Sequence, residues 1–231
     1  VLEEGLLTPV LEAELHALAA AAERAGVTIA GGDTKVVEHG KADQMYISTA
    51  GIGRRIAAAN PDAASVREGD RILVSGPIGD PGITILLARG ELDLEADLES
   101  DTRSILPMVA PMLATVGASV RWMRDPTRGG VASALNELAL DCGLALCLEE
   151  ESLPVRPAVR GACELLGLDP LHIANEGQFV AVVAADAADA ALAAEQAAPG
   201  CSEACLIGGV RAEPAGAVVT HRRHGGGRIV A

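Results

Sequence analysis

The residues best able to do chemistry in this sequence sit in short glycine-bearing runs at the ends of apolar segments. In Gly31-Gly32-Asp33-Thr34-Lys35, two residues without Cβ precede a carboxylate and, two positions later, an ammonium. Missing Cβ atoms let a backbone approach a phosphate or metal closely, a carboxylate suits a hard cation such as Mg²⁺, and Lys35 could set a point charge against phosphate oxygens. Read locally, the run equally fits a tight turn with a solvated Asp33. A second run, Asp125-Pro126-Thr127-Arg128-Gly129-Gly130, stands just before a helical pattern, where unpaired N–H groups favour a bound anion. Its plainer alternative is a cap, with Asp125 or Thr127 satisfying those groups and Arg128 in a surface ion pair. The third, Asn175-Glu176-Gly177-Gln178, precedes a strand pattern, so Glu176 is either a solvated turn residue or, if burial raises its pKa, a general base. Gly76-Pro77-Ile78-Gly79-Asp80-Pro81-Gly82 is a weaker phosphate-loop candidate, lacking the Lys-Ser/Thr ending of a P-loop.

Thiol chemistry is a poorer prospect. Cys201 and Cys205 have ligand-like spacing, but His221 and His224 offer no paired motif, and Cys142, Cys147 and Cys163 lie in apolar surroundings, so the thiols are read as packing groups. Five cysteines in a long, core-rich chain argue against a disulfide scaffold and for a reducing, cytoplasmic setting. The basic run at 221–224 reads as a solvated turn.

Composition narrows the partners. With Lys plus Arg at 18 against Asp plus Glu at 32, the net charge of −14 repels polyanions, and one Phe, one Tyr and one Trp leave almost nothing to stack on bases. Nucleic acid is excluded as an expected partner. No apolar run reaches the about 18 residues that cross a bilayer, so no membrane is expected either. An apolar content of 49% nevertheless supports a sizeable core built from Ala, Val, Leu and Ile.

Several elements must position the candidate residues. Apolar spacing after Thr8-Pro9, closed by Gly26, predicts a helix over 9–25 with Thr8 as its cap. The β-rich runs 27–30 and 45–52 are expected to pair around the polar turn 38–43. Asn60-Pro61 and the polar stretch after it predict a domain boundary, giving domains 1–60 and 61–231. Beyond it, 71–75 reads as a strand, 76–82 as a loop and 83–89 as the start of a helix, the order of an α/β unit. Helices are predicted at 105–115, 131–141 and 185–198, and strands at 179–183, 205–210 and 216–220.

Taken in order, four blocks carry a resemblance: Gly31-Gly32-Asp33-Thr34-Lys35-Val36-Val37, Gly69-Asp70-Arg71-Ile72-Leu73-Val74-Ser75-Gly76, Asp125-Pro126-Thr127-Arg128-Gly129-Gly130, and the run from Leu166 through His172-Ile173-Ala174-Asn175-Glu176-Gly177. They resemble the HypE family, the carbamoyl dehydratases of nickel–iron hydrogenase maturation, within the superfamily of aminoimidazole-ribonucleotide synthetase, selenophosphate synthetase and thiamine-phosphate kinase. The resemblance implies an aminoimidazole-ribonucleotide synthetase-like α/β (α+β) fold: part of an N-terminal barrel-forming domain that pairs in a homodimer, then a complete C-terminal α/β domain. It implies ATP and Mg²⁺ as cofactors, with Asp33 as metal ligand. Gly31, Gly32, Asp33, Thr34, Lys35, Asp125, Thr127, Arg128, Gly129, Gly130 and Asn175 would bind the nucleotide, with Lys35 and Glu176 catalytic. The implied reaction is dehydration of a carbamoylated C-terminal cysteine to a thiocyanate, with a carbamoyltransferase and an iron–cyanide scaffold as partners. The family's terminal cysteine has no counterpart after Cys205, and no initiator Met precedes Val1, so truncation at both ends is expected. Two alternatives stay open, another ATP-using member of the superfamily and a non-catalytic binding module.

Overall fold

A computed structural model describes residues 1–54, 59–89, 98–223 and 225–231, and the chain divides into two units, Val1–Arg55 and Ile56–Ala231.

In the first unit, strand β1 (Leu2–Glu3) pairs in parallel with β2 (Val36–Val37), and helix α1 (Thr8–Ala25) lies between them in sequence. Helix α1 owes its existence to local preference: an Ala-rich stretch, Pro9 in the first turn, and Gly26 in the left-handed conformation (φ 65°) returning its N–H to Ala22 and Glu23. Its cap is Leu7, with Thr8 already helical, one position earlier than expected. The expected pairing of 27–30 with 45–52 does not form. Those segments run without ladder partners apart from a bridge between Leu2 and Met45. The turn between them is closed from elsewhere: the Glu3 carboxylate accepts the backbone N–H groups of Gly40 and, at 3.0 Å, Gln44. A strand needs a neighbour for its own N–H and C=O groups, and β1 takes that place.

The second unit is built on a mixed sheet. Its strands are β3 (Arg71–Val74), β4 (Val120–Arg124), β5 (Ala145–Glu149), β6 (Val180–Val183), β7 (Cys205–Arg211), β8 (Val218–His221) and β9 (Gly227–Val230), and its helices α2 (Asp80–Ala88), α3 (Leu106–Val116), α4 (Gly130–Cys142), α5 (Pro157–Leu166) and α6 (Ala188–Gln196). Among the described residues the order across the sheet is β4-β6-β3-β7-β5-β8-β9, and only β5 and β8 run parallel. Strand-then-helix order alone does not set strand direction, so the α/β order read at 71–89 ends up in a largely antiparallel sheet. Alternation along β3 and β6 sorts the core into two layers. Ile72, Val74, Val180 and Val182 pack with Val131, Leu135 and Leu138 of α4. Leu73, Phe179, Ala181 and Val183 pack with Met108 and Met112 of α3 and Ala188 and Ala191 of α6. A smaller cluster joins Ile83 of α2 to Val159, Ala162 and Cys163 of α5.

Of the cysteines, Cys147, Cys163 and Cys201 are buried, Cys142 and Cys205 half-buried, and burial pushes the Cys205 thiol up to about 11, far from the thiolate that metals need. Arg222, in the basic run, pairs with Glu150 at 2.9 and 3.1 Å, and residue 224 lies outside the described residues.

Candidate functional site

Register places the chemistry of the second unit. Strand β6 runs antiparallel between β4 and β3, so that Val180 faces both Arg124 and Val74. The turn entering β6, the loop leaving β4 and the loop leaving β3 therefore gather at one end of the sheet. Each carries or opens a run singled out from the sequence: 175–178, 125–130 and 76–82.

Buried hydrogen bonds fix these loops to one another. Asn175 has no solvent exposure. Its Oδ1 accepts the Gly79 N–H at 2.8 Å, while Nδ2 donates to Ile173 O at 3.0 Å and Pro126 O at 3.3 Å. One amide thus ties all three loops, a bracing role beside the nucleotide contact expected of Asn175. Ser75 does similar work, donating to Gln178 Oε1 at 2.7 Å and accepting the Phe179 N–H at 2.9 Å. Sequence reading names Ser75 and Gln178 within their runs but not the bond between them, because a bond spanning 103 residues leaves no local pattern.

The 125–130 loop opens onto a cavity of about 350 Å³ lined by Arg124, Asp125, Thr127, Arg128, Gly130 and Glu137. Thr127 donates its hydroxyl to Asp125 Oδ2 at 2.5 Å, and Arg124 pairs with Glu137. Asp125 therefore orients a hydroxyl instead of capping α4, whose cap is Gly129 with no side-chain bond. Gly129 and Gly130 have φ of 73° and 61°. A Cβ on Gly130 would stand 2.4 Å from the Leu171 carbonyl oxygen and 2.5 Å from that of Ile173, so glycine is what lets α4 start against the 171–173 turn. With the Thr127 hydroxyl given to Asp125 and the Gly130 N–H to Thr127 O at 3.1 Å, the Arg128 guanidinium and the remaining first-turn N–H groups of α4 make a donor set that fits phosphate oxygens.

Glu176 is exposed, and its N–H, like that of Gly177, points to Asp101 Oδ1, at 2.9 and 3.0 Å. The burial that a base role was expected to need is absent at Glu176, though Asn175, Gly177 and Gln178 on either side are buried. Asp80, by contrast, is buried; burial raises its carboxyl, opposed by Arg156, whose Nε lies 3.2 Å away.

In the first unit, Gly31, Gly32, Asp33, Thr34 and Lys35 are all exposed. Asp33 Oδ1 accepts the Thr34 N–H at 2.8 Å. A Cβ at Gly31 or Gly32 would meet nothing within 4 Å, so nothing in the described chain crowds this backbone. For Mg²⁺ the fit is incomplete: no three His, Cys, Asp or Glu side chains come together for an ion among the described residues. Nor is any helix among them long and apolar enough to cross a membrane.

Residues 67–221 match the family described as AIR synthase related protein, C-terminal domain, which sets the class. Carbamoyl dehydratase HypE of Rhizobium leguminosarum bv. viciae is 47% identical over 230 residues, covering 100% of this chain and 66% of the relative. A crystal structure of hydrogenase maturation protein HypE in complex with ATP is 42% identical, with a TM-score of 0.93 over 100% of this chain and 70% of that one. In a crystal structure of a HypE–HypF complex the figures are 35%, 0.89, 100% and 74%. The chain belongs to the HypE family, and it spans 66% of the length of its Rhizobium relative.

Proposed function

We propose that this chain serves the ATP-dependent dehydration of a carbamoylated C-terminal cysteine to a thiocyanate, supplying cyanide for the iron of nickel–iron hydrogenase. The observation that carries the reading is the convergence, in a chain of the HypE family, of the Thr127-Arg128 loop and the Glu176 turn at one end of the sheet beside a cavity. Amide oxygen is a poor leaving group, and ATP supplies the phosphoryl group that converts it into phosphate. The chain's own residues then have separate tasks. Arg128 and the backbone N–H groups of Thr127 and Gly129 bind nucleotide phosphates, Gly130 shapes the turn with its own N–H held by Thr127 O at 3.1 Å, and Asp125 holds the Thr127 hydroxyl. Gly31 and Gly32 offer open backbone and Thr34 its hydroxyl to phosphate, Asp33 provides one carboxylate toward Mg²⁺, and Lys35 stabilises negative charge on the transferring phosphoryl or the carbamoyl oxygen. Glu176 takes the remaining N–H proton as the C–O bond to phosphate breaks and the C≡N bond forms.

A carbamoyltransferase that loads the cysteine and an iron–cyanide scaffold that accepts the cyanide are the partners this chemistry requires, and the HypE–HypF complex supports the first. The exposed apolar residues of the first unit support a homodimer, and five free thiols support a cytoplasmic site. The test is Glu176→Gln in the intact protein. Mass spectrometry should show loss of water from the carbamoylated cysteine slowed about a hundredfold, the scale of general-base catalysis, while ATP affinity stays unchanged. A variant dehydrating at the normal rate removes Glu176 as the base.

A further inference from the structure

An exposed glutamate can act at a defined atom only if something other than burial holds it, and the grip on Glu176 comes from a segment about 75 residues earlier. Asp101 Oδ1 accepts two successive backbone N–H groups, those of Glu176 at 2.9 Å and Gly177 at 3.0 Å. Two residues on, Arg103 holds the next peptide: its Nε donates to Gly177 O at 3.0 Å, while Nη2 reaches Gln178 Oε1 at 3.2 Å and Nη1 reaches Gly200 O at 2.8 Å. The fit is close. A Cβ on Gly177 would lie 1.7 Å from the Asp101 carbonyl oxygen and 2.7 Å from Arg103 Cγ. Asp101 Oδ2 is buried and has no hydrogen-bond partner, so this carboxylate spends its bonds on the Glu176 turn alone.

We propose that Asp101, backed by Arg103, is a positioning residue for the reaction, a clamp that fixes the backbone at Glu176 and Gly177 and so the direction of the Glu176 carboxylate. The proposal rests on the base assigned to Glu176, and catalysis by positioning is steep in distance. Only one acceptor oxygen is needed, so asparagine at 101 preserves the clamp while alanine removes it.

The experiment compares Asp101→Ala, Asp101→Asn and Glu176→Gln in the intact protein, reading amide exchange at Glu176 and Gly177, ATP affinity, and single-turnover dehydration of the carbamoylated cysteine. Asp101→Ala should speed exchange of the two amides about tenfold or more, the effect of losing a charge-assisted bond, and slow dehydration by a similar factor with ATP affinity within about twofold. Asp101→Asn should restore both toward wild type. Unchanged exchange in Asp101→Ala, or Asp101→Asn as slow as Asp101→Ala, overturns the clamp. Full-speed dehydration by Glu176→Gln instead overturns the base assignment and the catalytic part of the proposal with it, leaving the clamp to be judged on exchange alone.

Discussion

The two units of this chain hold themselves together in opposite ways. Helix α1 of the first buries no residue, and Leu7, Val27, Ile29, Tyr46, Ile47 and Ile52 of the same unit all stand exposed. The second wraps helices over both faces of a sheet whose strands β3 and β6 are almost wholly buried. Local preference and a few hydrogen bonds maintain the first, and side-chain packing the second. The difference separates two kinds of sensitivity: substitutions in the second unit should register as stability, and those at the candidate ligands of the first as binding.

The largest test of that contrast is truncation of one apolar side chain in each unit. Phe179 is fully buried among Leu73, Met108 and Met112, so Phe179→Ala should cost about 3–5 kcal/mol. Leu15, 50% exposed on α1, should cost no more than about 0.5 kcal/mol when replaced by alanine. Equal losses in denaturant unfolding would mean that the first unit has a core its exposure does not show.

Buried charge sharpens the comparison. Glu195 is fully buried with both carboxylate oxygens unpartnered, and burial raises its pKa to about 7, opposed by the Arg103 charge. A folded-state value above the ordinary 4.5 means that the folded chain keeps a proton the unfolded chain releases. Stability from this group is therefore present below about 4.5 and lost as pH rises to about 7, by roughly 3 kcal/mol at most. Glu195→Gln should flatten that slope and melt higher than wild type at pH 8 but not at pH 4.5; identical slopes would show that the carboxyl is solvated after all. Glu3 in the first unit has the reverse sign, since the N–H groups of Gly40 and Gln44 lower its pKa, and its contribution fades in acid.

Legibility followed the same division. Strand 71–74, helix 130–142 and strand 180–183 could be read because each is an apolar run whose burial the fold then supplies. Helix 157–166 was missed although Pro157 and Gly167, in the left-handed conformation at φ 67°, bracket it plainly. Strand 227–230 has three exposed residues of four and exists because β8 pairs with it, a cause no local pattern contains. In the first unit β-propensity at 27–30 and 45–52 found no ladder, because propensity reports fit to a sheet and not the presence of one. The candidate site was legible as motifs, and unreadable as the web of Ser75, Gln178, Asp101 and Arg103 that aims them.

The smallest effect on stability should come from Asp33→Asn. Among the described residues the Asp33 side chain accepts the Thr34 N–H, a bond the asparagine oxygen keeps, and the residue is exposed. Unfolding free energy should therefore move by less than about 0.5 kcal/mol. What changes is the charge offered to a cation: a neutral amide oxygen is a far weaker ligand for Mg²⁺ than a carboxylate. Titration of the intact protein should show nucleotide affinity falling about tenfold with Mg²⁺ present, the scale of a lost charged contact, and no difference from wild type once the ion is chelated. A loss that persists without Mg²⁺ would assign Asp33 to the phosphate loop's own geometry, and an unchanged affinity with it would leave the first unit without a ligand of its own.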